Sequence, residues 1–199
     1  SILLTAPTGK AAGRLTESIM GQKNRYQNES DIAPQAELIP SESQTLHRLL
    51  GINALTKAPR YHRHNPLQFD LLVVDEASMI DQTMLSYLIE ALPAQGRVIF
   101  LGDKDQLASV EAGSIMHELC YHENYSSDHL EYLSKISGEN LTEQMPAIKG
   151  APVFNYLSFL KKSYRFRGDS ALGNLAKVIN NEGGRYAFSE QRRLFHEIL

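Results

Sequence analysis

The sequence predicts an α/β domain built on a parallel sheet, and three observations support this fold class. Three apolar runs, at residues 2–4, 71–74 and 97–101, have the length and composition of buried strands. Amphipathic stretches with helical spacing lie between them, so strand and helix alternate along the chain. The 199 residues, of which 42% are hydrophobic and 22% charged, are enough to bury the core of a globular domain.

The first half of the chain supplies one of these strands and two helices. A helix is predicted at residues 10–20, where apolar residues recur on one side. Residues 22–43 are polar and contain two prolines, which predicts a long loop. A short helix is predicted at residues 45–50, and Gly51 is predicted to end it, because glycine readily adopts the left-handed conformation that closes a helix. Residues 57–66 form a basic loop.

The second half of the chain continues the alternation. Asp81 is predicted to cap a helix that Pro93 ends. The apolar positions of this helix are Leu85, Leu88, Ile89 and Leu92. The run at residues 97–101 is predicted to be a second buried strand, like the run at residues 71–74.

The length of the chain allows one to two domains. The stretch at residues 121–152 is acidic and polar and contains glycine and proline, which predicts an insertion or a linker.

Composition narrows the class of protein. No run approaches the roughly 18 apolar residues of a membrane span, and no signal peptide opens the sequence, so we expect a cytoplasmic protein without a membrane partner. The single cysteine, Cys120, excludes an internal disulfide framework and fits a reducing compartment. The net charge is −3, yet bases cluster at residues 10–25 and 161–167. These clusters are compatible with a local anion-binding surface and equally with solvated surfaces of opposite sign.

Two adjacent carboxylates follow the apolar run at residues 71–74. Asp75 at the end of a buried strand is suited to hold Mg²⁺, and Glu76 is suited to act on a water molecule as general base. The alternative interpretation is an acidic turn that caps the next helix. The residues alone leave both interpretations open, although they favour the first.

A second polar group follows the run at residues 97–101. Gln106 supplies an amide that can orient water or contact a terminal phosphate. Alternatively, the segment is a polar loop in which Asp103 caps backbone amides. Because parallel strands present their carboxyl ends at one edge of a sheet, the two groups together favour a nucleotide-hydrolysis site.

The segment at residues 5–10 is similar to a phosphate-binding loop but departs from its pattern. The pattern Gly-x-x-x-x-Gly-Lys-[Ser/Thr] requires glycine where the chain has Leu4, and serine or threonine where it has Ala11. Its hydroxyls, amides and lysine at a helix N-terminus can still bind a phosphate, for example in a nucleic-acid strand. A helix cap with an exposed lysine is the alternative.

Two more segments carry groups that suit phosphate or nucleic-acid contact. Thr45 and His47 offer a hydroxyl and an imidazole, although on their own these residues favour an ordinary amphipathic helix. Arg165 lies between two aromatic residues, where it could stabilise charge on a transferred phosphate or stack on bases. A surface arginine packed on its aromatic neighbours is the alternative for Arg165.

In their order and wording, these motifs resemble those of the RecD family of superfamily 1 DNA helicases. Residues 5–12 resemble motif Ia of the family, 73–79 motif II, 101–113 motif III and 162–166 motif IV, and 45–51 are similar to a further DNA-facing segment. The resemblance implies a RecA-like, three-layer αβα fold of the P-loop NTPase class that lacks its phosphate loop within this sequence. The phosphate loop is then expected upstream of Ser1, and motifs V and VI beyond Leu199. The resemblance also implies that residues 1–160 hold most of a first motor domain, and that residues 161–199 form the junction with a second motor domain and its opening part.

The resemblance also implies a function, with ATP and Mg²⁺ as cofactors. Asp75 would bind Mg²⁺, Glu76 would activate water, Gln106 would sense the terminal phosphate, and Arg165 would reach that phosphate from the domain junction. The residues that would contact DNA are Thr5, Pro7, Thr8, Lys10, Thr45 and His47.

The activity implied by the resemblance is ATP-dependent 5′-to-3′ DNA translocation in double-strand-break repair and recombination. The implied partners are single-stranded DNA at duplex ends and the RecB- and RecC-like subunits of an exonuclease V complex. Three alternatives stay open: a stand-alone RecD-like or conjugative-relaxase helicase, a nucleotide-gated DNA-binding switch that does not translocate, and a docking domain for partner subunits.

Overall fold

The computed structural model describes residues 1–29, 31–103, 116, 119–120, 125–144 and 155–160. The chain divides into two compact units, Ser1–Tyr121 and His122–Leu199. The expected second domain at residues 161–199 lies outside the described residues, and the boundary at residue 160 stays a prediction.

A four-stranded sheet organises the first unit. Its strands are β1 (Ile2–Ala6), β2 (Gln44–Thr45), β3 (Leu71–Val74) and β4 (Arg97–Phe100). The order across the sheet is β2-β1-β3-β4, and each neighbouring pair is parallel. Parallel neighbours need crossover connections, which the intervening helices supply. The predicted α/β fold with a parallel sheet is confirmed.

Helices occur in both units. In the first unit they are α1 (Gly9–Tyr26), α2 (Ala33–Glu37), α3 (Leu46–Leu49) and α4 (Gln82–Glu90), with a 3₁₀ turn at Ala77–Met79. In the second unit they are α5 (Ser127–Ser137) and α6 (Leu141–Gln144), both within the acidic stretch at 121–152. None of the helices that the structure describes is long and apolar enough to cross a membrane.

The core of the first unit is a hydrophobic cluster shared by β3, α3 and α4. Its fully buried members include Leu46, Leu50, Leu72, Val74 and Leu88. Leu3 is the register partner of Leu72 and packs against the same cluster. Burial of one such side chain stabilises the fold by about 1.5–3 kcal/mol. The cluster therefore anchors β3 firmly at the centre of the sheet.

Two local signals predicted from the sequence are confirmed. The carboxylate of Asp81 accepts a hydrogen bond from the Met84 amide at 2.7 Å and so caps α4. Gly51 follows α3 with a φ of +62°, and a Cβ added there would lie 2.8 Å from the Cβ of Arg60. Glycine is therefore required at that turn both for its backbone conformation and for the close approach of Arg60.

The prediction of a long loop at residues 22–43 is wrong at its start. Helix α1 continues to Tyr26, beyond the predicted end at residue 20. Polar residues are compatible with a solvent-exposed helical turn. The positive charges of Lys23 and Arg25 in the last turn interact favourably with the negative end of the helix dipole. Polarity alone therefore does not distinguish an exposed helical turn from a loop.

Side-chain hydrogen bonds hold the rest of that segment against α1. Lys23 Nζ donates to the Ile39 carbonyl at 2.7 Å, and Ser43 Oγ donates to the Ala12 carbonyl at 2.6 Å. Pro34 lies in the first turn of α2, where the lack of an N–H group costs no helical hydrogen bond. The segment is thus built into the first unit by contacts that are remote in sequence.

The prediction that residues 97–101 form a strand is confirmed by β4, but the prediction that this strand is buried is wrong. Ile99, Phe100 and Leu101 are exposed by 46%, 36% and 46%. Strand β4 lies at the edge of the four-stranded sheet and pairs with β3 alone among the described strands. Helix α4 differs in one detail as well: Met84 and Leu88 form its buried face, whereas Ile89 is exposed.

We predict that Asp81→Ala lowers the free energy of unfolding of the chain by about 1 kcal/mol, because the first turn of α4 loses its cap. Asp81→Asn keeps a side-chain acceptor and should stay close to wild type. Urea denaturation of the three proteins measures the difference. Equal stability of the alanine and asparagine variants would show that the cap contributes nothing.

Candidate functional site

The carboxyl-terminal edge of the sheet gathers the polar segments singled out in the sequence. Because all four strands are parallel, the residues that follow them meet along one edge. These residues are Thr8 to Lys10 after β1, Thr45 at the end of β2, Asp75 and Glu76 after β3, and Gly102 and Asp103 after β4. Crevices at this edge are where open α/β sheets bind ligands.

Hydrogen bonds to neighbouring backbone groups hold both the backbone and the carboxylate of Asp75. Its amide donates to the Thr5 carbonyl at 2.9 Å, and its Oδ1 accepts a hydrogen bond from the Glu76 amide at 2.9 Å. Oδ2 makes no hydrogen bond to any residue that the structure describes. The half-buried carboxylate is therefore oriented through one oxygen and has the other available for a ligand.

Glu76 has a strained backbone. Its φ of 52° and ψ of 40° place it in the left-handed region, which costs a residue with a Cβ about 1–2 kcal/mol. The Asp75 carboxylate and the 3₁₀ turn that begins at Ala77 hold it there. Strain of this kind is typical of functional sites, where the surrounding structure imposes it.

The alternative interpretation of the carboxylates, an acidic helix cap, is not supported. Glu76 precedes the 3₁₀ turn but makes no side-chain capping hydrogen bond. Asp81 caps α4 instead. Neither the Asp75 nor the Glu76 side chain caps a helix, and the hydrogen bond that joins the pair runs from the Glu76 amide to the Asp75 carboxylate.

The end of β4 packs closely on the loop that carries these carboxylates. The Ala77 amide donates to the Leu101 carbonyl at 2.8 Å, and the Leu101 amide donates to the Val74 carbonyl at 2.8 Å. A Cβ on Gly102 would lie 3.0 Å from the Ser78 nitrogen and 3.2 Å from the Ala77 nitrogen. Glycine at position 102 thus lets the segment after β4 start directly beside the Asp75–Glu76 loop.

The segment after β1 forms the N-terminus of α1. Thr8 Oγ1 accepts a hydrogen bond from the Ala11 amide at 3.2 Å, and no acidic residue lies in the first turn. Pro7 is half-buried, and Lys10 is exposed. A helix N-terminus that has no acidic residue in its first turn and has a lysine nearby is electrostatically suited to an anion.

Thr5 has a different position from the one expected of a DNA-contacting residue. It is fully buried, and its hydroxyl donates to the Gln44 carbonyl at 2.8 Å. Its side chain therefore links β1 to β2 and is not presented to a ligand. This is a correction to the predicted contact set, and its physical reason is burial inside the sheet.

Thr45 and His47 lie beside the end of β1. Thr45 is the register partner of Ala6, and its Oγ1 accepts a hydrogen bond from the Arg48 amide at 3.2 Å. His47 is exposed on α3. Parallel pairing of β1 and β2 thus brings the predicted contact residues after each strand next to each other.

Two predicted site residues, Gln106 and Arg165, lie outside the described residues. Within the described part of the chain, no group of three or more His, Cys, Asp or Glu side chains could hold a metal ion. The available oxygen of Asp75 can supply one ligand to a metal ion. Magnesium fits this donor set, because it is commonly held by one or two carboxylates and the phosphates of a substrate.

Sequence patterns missed two features of the site. The left-handed backbone of Glu76 has no signal in the sequence, because glutamate rarely adopts it. The close approach at Gly102 had a weak signal, since glycine after a strand often marks a close backbone contact.

Comparison with known proteins identifies similar chains. The AAA domain family matches residues 1–112. The chain is 43% identical over 185 residues to the RecBCD enzyme subunit RecD of Haemophilus influenzae, which covers 89% of this chain and 28% of that protein. It is 44% identical over 119 residues to the RecD subunit of Mycolicibacterium smegmatis, covering 59% of this chain and 21% of that protein.

A further relative has a different name. The chain is 38% identical over 113 residues to the ATP-dependent RecD2 DNA helicase of Deinococcus radiodurans, covering 55% of this chain and 12% of that protein. The chain therefore spans less than a third of the length of these relatives.

We predict that the free energy of unfolding of the Glu76→Gly variant is about 1 kcal/mol higher than that of the Glu76→Ala variant. Glycine adopts the left-handed conformation without strain, whereas alanine keeps the Cβ that opposes it. Both variants lose the carboxylate, so chemical denaturation of the pair isolates the backbone effect. An alanine variant as stable as the glycine variant would show that the loop is unstrained.

Proposed function

The chain belongs to the AAA domain family and is RecD-like, and from that premise we propose that it carries the metal- and water-handling part of an ATP-driven DNA helicase. The family predicted from the sequence motifs is confirmed. The observation that best supports the proposed activity is the strained Glu76 beside the oriented Asp75 carboxylate, with the end of β4 packed against them.

In this proposal Asp75 holds Mg²⁺ through its available oxygen, and the nucleotide supplies phosphate ligands. Bound Mg²⁺ would neutralise charge on the phosphates of ATP. Glu76 accepts a proton from the water that attacks the terminal phosphate. The hydrogen bond from the Glu76 amide to the Asp75 carboxylate fixes the Asp75 side chain relative to the backbone of Glu76, so the two residues are positioned together.

The proposal assigns two further roles to the nucleotide site. Gln106 contacts the terminal phosphate, and Arg165 stabilises charge on it. The close packing of Gly102 on Ala77 and Ser78 supports the role of Gln106, because the segment leading to it starts beside Glu76.

Single-stranded DNA is the proposed nucleic-acid ligand. Thr8, Lys10 and Pro7 at the start of α1 and Thr45 and His47 at the start of α3 would contact its backbone. The support is their position at neighbouring strand ends and the uncompensated N-terminus of α1. Thr5 is left out of this set because it is buried.

The proposed setting is a cytoplasmic RecBCD-type complex, in which the protein works with RecB- and RecC-like subunits at duplex ends, moving 5′ to 3′. The printed names of the relatives from Haemophilus influenzae and Mycolicibacterium smegmatis support this setting. The match to the RecD2 helicase of Deinococcus radiodurans favours a second candidate, a helicase that acts alone. Stable co-purification of the full-length protein with such subunits separates the two.

We predict that Glu76→Gln in the full-length protein keeps ATP binding and lowers DNA-stimulated ATP hydrolysis by about 100-fold or more, because the amide cannot accept the proton. Nucleotide binding is measured by fluorescence titration and hydrolysis by phosphate release. Glu90→Gln, an exposed glutamate at the end of α4, is the matched control and should hydrolyse ATP normally. Near-normal turnover by the Glu76 variant would remove Glu76 from the role of base.

We also predict that the 199-residue chain by itself hydrolyses no ATP, with or without single-stranded DNA. The chain contains no Gly-x-x-x-x-Gly-Lys-[Ser/Thr] sequence, so it lacks the amides and lysine that cradle the phosphates. Steady-state phosphate release measures this. Turnover that disappeared with Glu76→Gln in the same chain would contradict the prediction.

A further inference from the structure

Thr5 is fully buried although it carries a hydroxyl group, and its neighbours on β1, Leu4 and Ala6, are apolar. A buried hydroxyl requires a hydrogen-bond partner, and Thr5 donates its hydroxyl across the sheet to the Gln44 carbonyl at 2.8 Å. An apolar residue such as valine would fill the same space without that requirement. Packing of β1 alone therefore does not explain why this position carries a hydroxyl.

The Thr5 hydroxyl reinforces a short strand pairing. Strand β2 has two residues and pairs with β1 through Thr5 with Gln44 and Ala6 with Thr45. On its other side, β1 pairs with β3 over four residues. Because the ladder between β1 and β2 is the shorter one, a side-chain hydrogen bond contributes more to the position of β2 than it could contribute to that of β3.

Strand β2 leads directly into the residues proposed to contact DNA. Thr45 is the last residue of β2 and also the N-cap of α3, and His47 lies in the first turn of that helix. A displacement of Gln44 relative to β1 would therefore move both residues. Their distances to Thr8 and Lys10, which follow β1, would change with it.

A second set of hydrogen bonds holds the chain just before β2. The Ser43 amide donates to Thr16 Oγ1 at 3.0 Å, and the Ser43 hydroxyl donates to the Ala12 carbonyl at 2.6 Å. Ser43 therefore ties this segment to α1, whereas Thr5 ties the next residue, Gln44, to β1. Together the two links fix the start of α3 relative to the start of α1.

We propose that Thr5 is a positioning residue for the nucleic-acid site. Its hydroxyl holds β2 against β1 and so sets the spacing between the contacts at the start of α1 and those at the start of α3. Thr5 itself does not touch the nucleic acid. Contacts held at a fixed spacing suit the backbone of a strand, because little ordering of the protein is then needed on binding. This inference rests on the proposed binding of single-stranded DNA.

Two substitutions separate the hydroxyl from the methyl group of Thr5. Thr5→Val puts a methyl group where the hydroxyl was. Since a carbon atom lies about 3.3–3.6 Å from a carbonyl oxygen, β2 would have to move away from β1 by roughly half an ångström. Thr5→Ser keeps the hydroxyl and loses the buried methyl group. The Thr5 carbonyl, which accepts the hydrogen bond of the Asp75 amide, is present in both variants.

The measurement is the Kd of the full-length protein for a labelled oligothymidine, from fluorescence anisotropy. Thr5→Val should raise the Kd about fivefold, the factor that one neutral hydrogen bond is typically worth, whereas Thr5→Ser should stay within about twofold of wild type. Thermal unfolding should affect the serine variant more, because that variant loses buried apolar volume. A residue that only supports the core would instead lose affinity in proportion to stability.

A matched control and a second measurement accompany the titrations. Thr83→Val makes the same chemical change at an exposed position of α4 and should keep the wild-type Kd. Hydrogen exchange of the amides of residues 44–48 without DNA should be faster in Thr5→Val than in wild type or Thr5→Ser. If Thr5→Val does not fold, Thr5→Ala takes its place, since alanine and serine at this position differ only by the hydroxyl.

Several outcomes would overturn the inference. A valine variant with the wild-type Kd and unchanged amide exchange would contradict it, and DNA-stimulated ATP hydrolysis by wild type would then leave the proposed function intact. Equal losses of affinity in the valine and serine variants would assign the effect to core packing.

Failure of the proposed function has a different signature. Wild type that binds oligothymidine without DNA-stimulated ATP hydrolysis would contradict the motor, and the Kd ratio of the valine and serine variants would still decide the role of Thr5. Wild type that binds no oligothymidine would contradict both the proposed DNA ligand and the inference.

Discussion

The parallel pairing of β3 between β1 and β4 is the constraint on which the rest of the site depends. It places the amide of Asp75 on the Thr5 carbonyl and the amide of Leu101 on the Val74 carbonyl. These bonds bring the ends of three strands to one edge of the sheet. The hydrophobic cluster beneath β3 resists any shift in register, because a shift by one residue would turn Leu72 and Val74 away from the core.

The core also explains how the loop after β3 tolerates strain. The left-handed backbone of Glu76 costs about 1–2 kcal/mol, which is comparable to the stabilisation from burying a single leucine. Ala77 and Ile80, which follow the strained residue, are themselves buried in the cluster. The backbone of Glu76 is therefore held in this conformation by its neighbours, and a fixed backbone position suits the role of base that we propose for its carboxylate.

Binding of a nucleic-acid strand would use surfaces of a different kind. The starts of α1 and α3 offer hydroxyls and a lysine. Neither surface depends on the net charge of the chain, which is negative. No acidic residue lies in the first turn of α1 or between residues 43 and 69, so the local field there can favour an anion in a mildly acidic protein.

Sequence by itself determined the α/β class, the cap at Asp81 and the end of α3 at Gly51, because these follow from local periodicity and capping chemistry. It also determined the family and the position of Asp75 and Glu76 after a strand, because these follow from the motifs and their spacing. Only the tertiary structure decided which residues of each motif are presented to a ligand. Burial depends on which strands are neighbours, and strand order is a long-range property that local patterns do not encode. For that reason Thr5 became a buried link between strands, β4 lay exposed at an edge, and the polar segment at 22–43 was bound to α1.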